Sequence, residues 1–349
     1  MSVSSLSSLS SLEEEMPRTR RRNAIKLNAF EEYNDMQFRA RFRVSKETVL
    51  FLESQFGSSL KPLTKSNRAI QPVDQILITL RFYATGSYQR VIGDIFHIEQ
   101  PTVHRIVHKV TAKIAAMKSL YINMPTSDEF VDIANGFYGI AAFPRVVGAV
   151  DCTHIKILSP GGAQSEVYRN RKGYFSLNVQ MVCDANLRIR NVIARWPGSV
   201  HDSTIFNDSP LCAQLERGDF GNMVILGDSG YPCRPYLLTP ILNTQTPAEE
   251  AYNRSQISTR NPIERLFGVL KRRFPSLQNG MGLKIKNIPP VIVACAVLHN
   301  VAIIRQDNLQ EAEDSLPYVE EEPTVQSIDR DTNQNFLVRS MIINTHFSH

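Results

Sequence analysis

The spacing of apolar residues divides the chain into two regimes. From Ala29 to about Leu120 they recur at helical intervals, and no run alternates as a strand does. Ser45 opens one helix as N-cap, with Thr48 where a full capping box has glutamate; Val49, Leu50, Leu52 and Phe56 form its buried side. Pro72 starts another at its first turn, with Ile76, Leu77, Leu80 and Tyr83 on one face. The stretch GSYQRVIGDIFHIEQPTVHRIVHKV predicts a short helix, a turn near His97 to Glu99, and a second helix from Pro101, with Gln100 as its cap. Val103, Ile106, Val107 and Val110 make an apolar stripe there, and Thr102, His104, Arg105, His108 and Lys109 lie on the complementary face. Gly93 lets the two helices approach closely. The pair has the form of a helix-turn-helix, whose second helix enters the major groove, and equally that of two packed helices with a polar outside.

From Thr111 to Phe143 the pattern is again helical, broken at MPTSDEF. After Arg145 the period changes. Val146–Leu158, Ser176–Asp184 and Leu187–Trp196 read as strands of an antiparallel meander, and Met223–Gly227 as a fourth strand beyond a helical stretch between Asp202 and Leu215. A helix follows from about Pro262 to Phe274, with Asn261 as N-cap, Pro262 at the first position and Glu264 at the third, a capping-box arrangement. The apolar helix PPVIVACAVLHNVAII closes the core; its run Val291–Ile304, interrupted by His299 and Asn300, is too short to span a bilayer. Four parts are expected: a disordered basic tail at 1–23, an all-α region at 24–125, an α/β domain at 140–305 and an acidic tail at 306–349.

Charge sharpens that division. From Gln306 onward nine acids stand against Arg330 and Arg339, a balance of −7, so that +12 of charge rests on the body of a chain whose net charge is +5. A basic body with an acidic tail points to a polyanionic partner, nucleic acid first, and equally suits a soluble protein with a solvated tail. RTRRR at Arg18 to Arg22 reads as a nuclear-import signal, a phosphate-contacting arm or a flexible end. The five cysteines form no CxxC pair and have no regular spacing, so neither a disulfide framework nor a zinc finger follows, and a reducing intracellular compartment is expected. The start has no charged and apolar pattern of a secretory signal.

Four acids stand out. Asp151 interrupts the apolar strand VVGAVDCTHIKI, where an unpartnered carboxylate costs several kcal/mol or more, on the order of a whole domain's margin of stability. Asp202 follows WPGSVH, Asp228 ends the strand VILGD, and Glu264 lies one turn into its helix. Each of the last three has a simpler role as helix cap or turn residue. Together they form a set of hard oxygen ligands, which a divalent cation would neutralise.

In order and spacing, GAVDCTH, WPGSVHDS, LGDSGYP and NPIERLFGVLKRRF resemble the catalytic core of the PIF/Harbinger transposases, including their host-recruited nucleases in animals. The resemblance is strong from Arg145 to about Ile304 and weaker over Leu60 to Ala115. It implies an RNase H-like mixed sheet flanked by helices, preceded by the all-α region with its helix-turn-helix, and a DDE carboxylate set that binds Mg²⁺ or Mn²⁺. Asp151, Asp228 and Glu264 match the catalytic acids, and Asp202 a further acid that reaches metal. The implied activity is hydrolysis of DNA phosphodiester bonds by a two-metal mechanism in the nucleus, with the cytoplasm as a second location. The alternatives are a DNA-binding or interaction protein without cleavage, and the transposase of a mobile element. Thr102, His104, Arg105 and Lys109 on the second helix, with Arg169, Arg171, Lys172, Lys271, Arg272 and Arg273 nearer the acids, are the expected DNA contacts. The family also implies a Myb-like DNA-binding partner. Association of the chain with its own copies is left open, and no membrane partner is expected.

Overall fold

The computed structural model of the chain describes residues 28–61, 69–162, 165–307 and 336–348. The expected basic tail at 1–23 and most of the acidic tail lie outside the described residues. Among the described residues eight helices come first: α1 (Ala29–Glu32), α2 (Asp35–Phe42), α3 (Lys46–Leu60), α4 (Pro72–Thr85), α5 (Gln89–Phe96), α6 (Gln100–Ala116), α7 (Lys118–Tyr121) and α8 (Phe130–Ala141). Ser45 caps α3 as its sequence predicts, its hydroxyl accepting from Thr48 N at 3.1 Å. Helices α5 and α6 are joined by a three-residue turn with His97 in the left-handed region at φ 53°. The turn closes tightly on α5, since a Cβ on Gly93 would stand 2.5 Å from the Ile98 carbonyl oxygen. Helix α6 starts one residue before Pro101, so Glu99 and not Gln100 holds the N-cap position, without a side-chain bond.

The second half builds a five-stranded mixed sheet: β1 (Val146–Lys156), β2 (Ser176–Cys183), β3 (Ile189–Pro197), then helices α9 (Asp202–Asn207) and α10 (Pro210–Glu216), and the short β4 (Val224–Leu226) and β5 (Leu237–Leu238). The order across the sheet is β3-β2-β1-β4-β5. The first three strands pair antiparallel as the expected meander, while β4 lies parallel to β1 and β5 parallel to β4. This is the RNase H-like arrangement that the sequence predicted. Strand β5, two residues in a Pro-rich connection, carries no period and was legible only in the sheet.

Helix α11 runs unbroken from Pro247 to Arg273 and passes through Pro262. The expected start at Asn261 is therefore wrong. Thr246, Pro247 and Glu249 repeat the signature of Asn261, Pro262 and Glu264 fifteen residues earlier, and the helix uses the first copy: Thr246 Oγ1 accepts from Glu249 N at 3.2 Å and Glu249 Oε2 from Thr246 N at 3.1 Å. Pro262 removes one amide donor from the helix interior, but packing of Ile263, Leu266, Phe267 and Leu270 in the core holds the helix together on the far side.

Helix α12 (Ile288–Ile304) lies in the interior between the helical region and the sheet, touching both α6 and β3. The stretch Ile285–Ile304 is long and apolar enough to cross a membrane, yet it is mostly buried as a core helix. Fully burying each of its large aliphatic side chains contributes about 1.5–3 kcal/mol. Its polar residues close the sheet edge: Asn300 accepts from Ile189 N at 2.8 Å and donates to Ile189 O at 2.7 Å, so the start of β3 is paired by a side chain. One continuous apolar core runs from Ala29 to Ile343, and the helical region and the sheet share it. A polar lock reinforces the union. Buried Asp307 accepts from Arg39 Nε at 3.0 Å and Thr48 Oγ1 at 2.8 Å, and Arg273 donates to the carbonyls of Asp307 and Arg43, each at 3.1 Å. A last helix, α13 (Leu337–Ile342), leads to Phe347, whose ring packs against Phe143 and Tyr252.

Fully buried His299 donates from Nε2 to Leu187 O at 2.8 Å, and burial with Arg273 nearby pushes its pKa down to about 4. The folded protein therefore holds it neutral while the unfolded chain takes up a proton near pH 6.5, so its contribution is complete above that pH and is lost as pH falls toward 4. Urea titrations across this window should show a loss on the order of 3 kcal/mol from this group. His299→Gln should flatten that acid limb; an unchanged limb would show that His299 is not its source.

Candidate active site

The four acids come from four elements. Strand β1 is buried through Val150 and half-buried at Asp151. Strand β4 runs beside it with Ala149 opposite Leu226, which brings Asp228, two residues on, level with Asp151. Asp202 is the first residue of α9, and Glu264 projects from the middle of α11. Asp228 and Asp202 each lie close enough to Asp151 to raise its pKa, and Asp202 and Glu264 do the same to Asp228.

The partner that Asp151 requires is Arg260. Its guanidinium is 9% exposed and donates from Nη1 to Asp151 Oδ2 at 3.0 Å, and from Nη2 to Glu264 Oε1. One buried cation thus joins the strand acid to the helix acid. Burial pushes the Asp151 carboxyl well up, Asp228 pushes it further, and Arg260 opposes both. Burial also raises the pKa of Asp228, again against Arg260. Arg260 itself stays charged, because Asp151, Glu264 and Asp228 outweigh the cost of its desolvation. A helix starting at Asn261 leaves Arg260 outside it, so the sequence pattern does not single out this arginine. Once α11 is continuous, Arg260 and Glu264 are an i, i+4 pair on one face.

The remaining acids are positioned by ordinary local bonds. Asp228 Oδ1 accepts from Gly230 N at 3.0 Å, the turn its DSG sequence implies. Asp202 does not cap α9, where His201 holds that position; its Oδ1 instead accepts from the buried amide of Asn178 at 2.7 Å. Asp151 Oδ1 accepts from Cys152 N at 2.7 Å. In kind, the set suits a hard divalent ion: oxygen donors only, crowded enough to raise the pKa of Asp151 and Asp228. Among the described residues, however, no three of these groups form a closed metal-binding cluster, and Arg260 supplies the positive charge between Asp151 and Glu264.

The basic residues separate by burial. Lys271 and Arg273 are buried, Arg273 in the polar lock with Asp307, and Arg272 is half-buried. A helix end carrying three consecutive cations must turn at least one inward. Arg169, Arg171 and Lys172 are exposed on the connection between β1 and β2, and Arg169 is already engaged, donating to both oxygens of Glu166 at 2.7 and 3.1 Å. His104, Arg105 and Lys109 are exposed on α6 and Thr102 is half-buried, with Arg105 Nη2 donating to Thr102 Oγ1 at 3.2 Å.

Removing Arg260 leaves two half-buried carboxylates without their counter-charge. Arg260→Gln should destabilise the metal-free protein by about 3–5 kcal/mol. Adding Asp151→Asn should recover part of that loss in a double-mutant cycle followed by thermal melting, and strict additivity would show that the two do not interact.

Comparison with known proteins agrees with this geometry. Residues 150–300 match the family model described as DDE superfamily endonuclease. The chain is 35% identical over 312 residues to "Putative nuclease HARBI1" of Bos taurus, covering 87% of this chain and 88% of that protein. It is 33% identical over 311 residues to the Homo sapiens protein of the same name, with the same coverage. An Arabidopsis thaliana "Protein ALP1-like" is 27% identical over 291 residues, covering 77% of this chain and 71% of that protein. No solved structure matches the chain significantly. With the sheet order, the converging acids and relatives that span both regions, the chain belongs to the Harbinger transposase-derived family of DDE superfamily endonucleases.

Proposed function

We propose that the protein is a divalent-metal-dependent DNA endonuclease, with Asp151, Asp228 and Glu264 as its catalytic acids and Asp202 as a further ligand. The observation that carries this reading is the convergence of four carboxylates from an RNase H-like sheet and its helices: Asp151, Asp228 and Glu264 gather on Arg260, and Asp202 lies beside Asp151 and Asp228. When bound, a pair of Mg²⁺ or Mn²⁺ ions supplies Lewis-acid charge that activates water and stabilises the oxygen leaving the phosphodiester. The protein's own part is placement. Asp151 sits on a strand paired on both sides, Asp228 is fixed by its turn, and Asn178 holds Asp202. Glu264, on the longest helix, is available as a ligand when Arg260 releases it. A guanidinium freed from the acids carries charge suited to a phosphate oxygen.

DNA binding by α5 and α6, with Thr102, His104, Arg105 and Lys109 toward the groove, completes the reading. Arg169, Arg171, Lys172 and Arg272 add phosphate contacts. The site of action is the nucleus, reached through Arg18 to Arg22 or through a Myb-like partner. A second reading, a DNA-binding protein whose acids are idle, is favoured by one observation: Arg260 already neutralises Asp151 and Glu264.

Incubation with supercoiled plasmid decides between the two. Wild type in Mg²⁺ or Mn²⁺ should nick or linearise it, EDTA should stop the reaction, and Asp151→Asn, Asp228→Asn or Glu264→Gln should each reduce it by at least about a hundredfold, the scale of losing a transition-state contact. Cleavage that survives Asp151→Asn would sink the enzyme reading, and wild type that binds DNA without cutting would establish the second. For α6, Arg105→Ala with Lys109→Ala should weaken duplex binding and reduce the slope of log K against log salt by about 1.8, two phosphate contacts. An unchanged slope would mark α5 and α6 as packed helices only.

A further inference from the structure

The loop that delivers Asp202 also walls a cavity beside the acids, of about 200 Å³. Its lining includes His154, Arg171, Asn178, Ser199, His201 and Asp202. The cavity is built rather than incidental. Gly198 lets the loop lie directly on β2, for a Cβ there would stand 2.3 Å from Ser176 Oγ and 2.6 Å from Tyr168 O. Asn178, 2% exposed, ties the loop down by donating to Val200 O at 2.8 Å and to Asp202 Oδ1 at 2.7 Å. Buried Asn170 donates to Ser176 Oγ at 3.2 Å, and the same hydroxyl meets His154 Nδ1 at 3.1 Å. Arg169, which also borders the cavity, is clamped by Glu166 and by the Gly173 carbonyl at 2.7 Å.

The charge left over is specific. Arg171 is exposed and, among the described residues, has no carboxylate in ion-pairing range, while Ser199 and His201 add donors at the same rim. Among the described residues no Phe, Tyr or Trp lines the cavity; its rings are the imidazoles of His154, which is held by Ser176 Oγ, and His201, so the broad stacking platform of a single-strand base site is missing. Phosphate contacts, in contrast, need only donors and charge, and they fix the register of a duplex without reading its sequence.

We propose that this cavity binds a backbone phosphate of the DNA strand, flanking the bond presented to the acids, with Arg171 as its cation and Ser199 and His201 as further donors. The proposal rests on the nuclease reading above. The site sets where the strand lies relative to Asp202 and its neighbours, and Arg171 acts as a positioning residue outside the reaction itself.

The test uses the full chain with metal withheld by EDTA, a fluorescein-labelled 30-base-pair duplex of about one site's length or more, and anisotropy across a salt series. Arg171→Ala should lower the slope of log K against log salt by about 0.9, one phosphate, and weaken binding several-fold at low salt, while Arg171→Lys should restore the slope. Ser199→Leu fills the cavity without changing charge and should weaken binding with Arg171 intact. Arg217→Ala, an exposed residue paired with Asp219 outside the cavity, should change neither. If Ser199→Leu binds as wild type does, or Arg171→Ala keeps the full slope, the cavity is not a phosphate site although the nuclease reading stands. If wild type binds no duplex at all, both readings fall.

Discussion

Everything at the candidate site depends on a charge constraint. Four carboxylates brought together in a half-buried space repel one another and lose hydration, and the fold can hold them only with a cation among them. In the protein as it stands that cation is Arg260, shared between Asp151 and Glu264. The group that stabilises the acids also covers carboxylate edges of Asp151 and Glu264, so a metal ion using those edges would have to displace a buried guanidinium.

The scaffold is organised to make that competition local. Strands β1 and β4 set Asp151 and Asp228 side by side through backbone pairing, which side-chain changes cannot shift. Helix α11 spans the core before and after Pro262, so Arg260 and Glu264 keep a fixed separation one turn apart. Behind it, α12 and the lock of Asp307 with Arg39, Thr48 and Arg273 weld the helical region to the sheet. Helix α6 and the acids therefore belong to one packed body with a shared core. This distinguishes the chain from one in which a binding module hangs on a linker.

The basic residues show how burial sorts charges that look alike in a sequence. Lys271, Arg272 and Arg273 are consecutive, yet Arg273 is spent inside on two carbonyls and Lys271 is buried. Arg169 and Arg171 are two residues apart, yet Glu166 holds one and leaves the other at the rim of a cavity. Composition predicts the sign of a surface, while only the packing says which charges reach it.

Much of the architecture was decided by local physics and was therefore legible in the chain itself. The helical and strand periods, the Ser45 cap, the α5–α6 turn, the three-strand meander and the four acids all follow from spacing and residue type. Family motifs in order added the RNase H-like sheet. The tertiary structure decided what local signals leave degenerate. Two cap signatures of the same form, Thr246-Pro247-x-Glu249 and Asn261-Pro262-x-Glu264, compete for one helix start, and core packing on both sides of Pro262 settled it in favour of the first. That choice alone made Arg260 a neighbour of Glu264. Strand β5 exists only because β4 offers an edge to pair with. The partner of Asp151 lies 109 residues away in the chain, a separation at which spacing carries no information and only the fold brings the charges together.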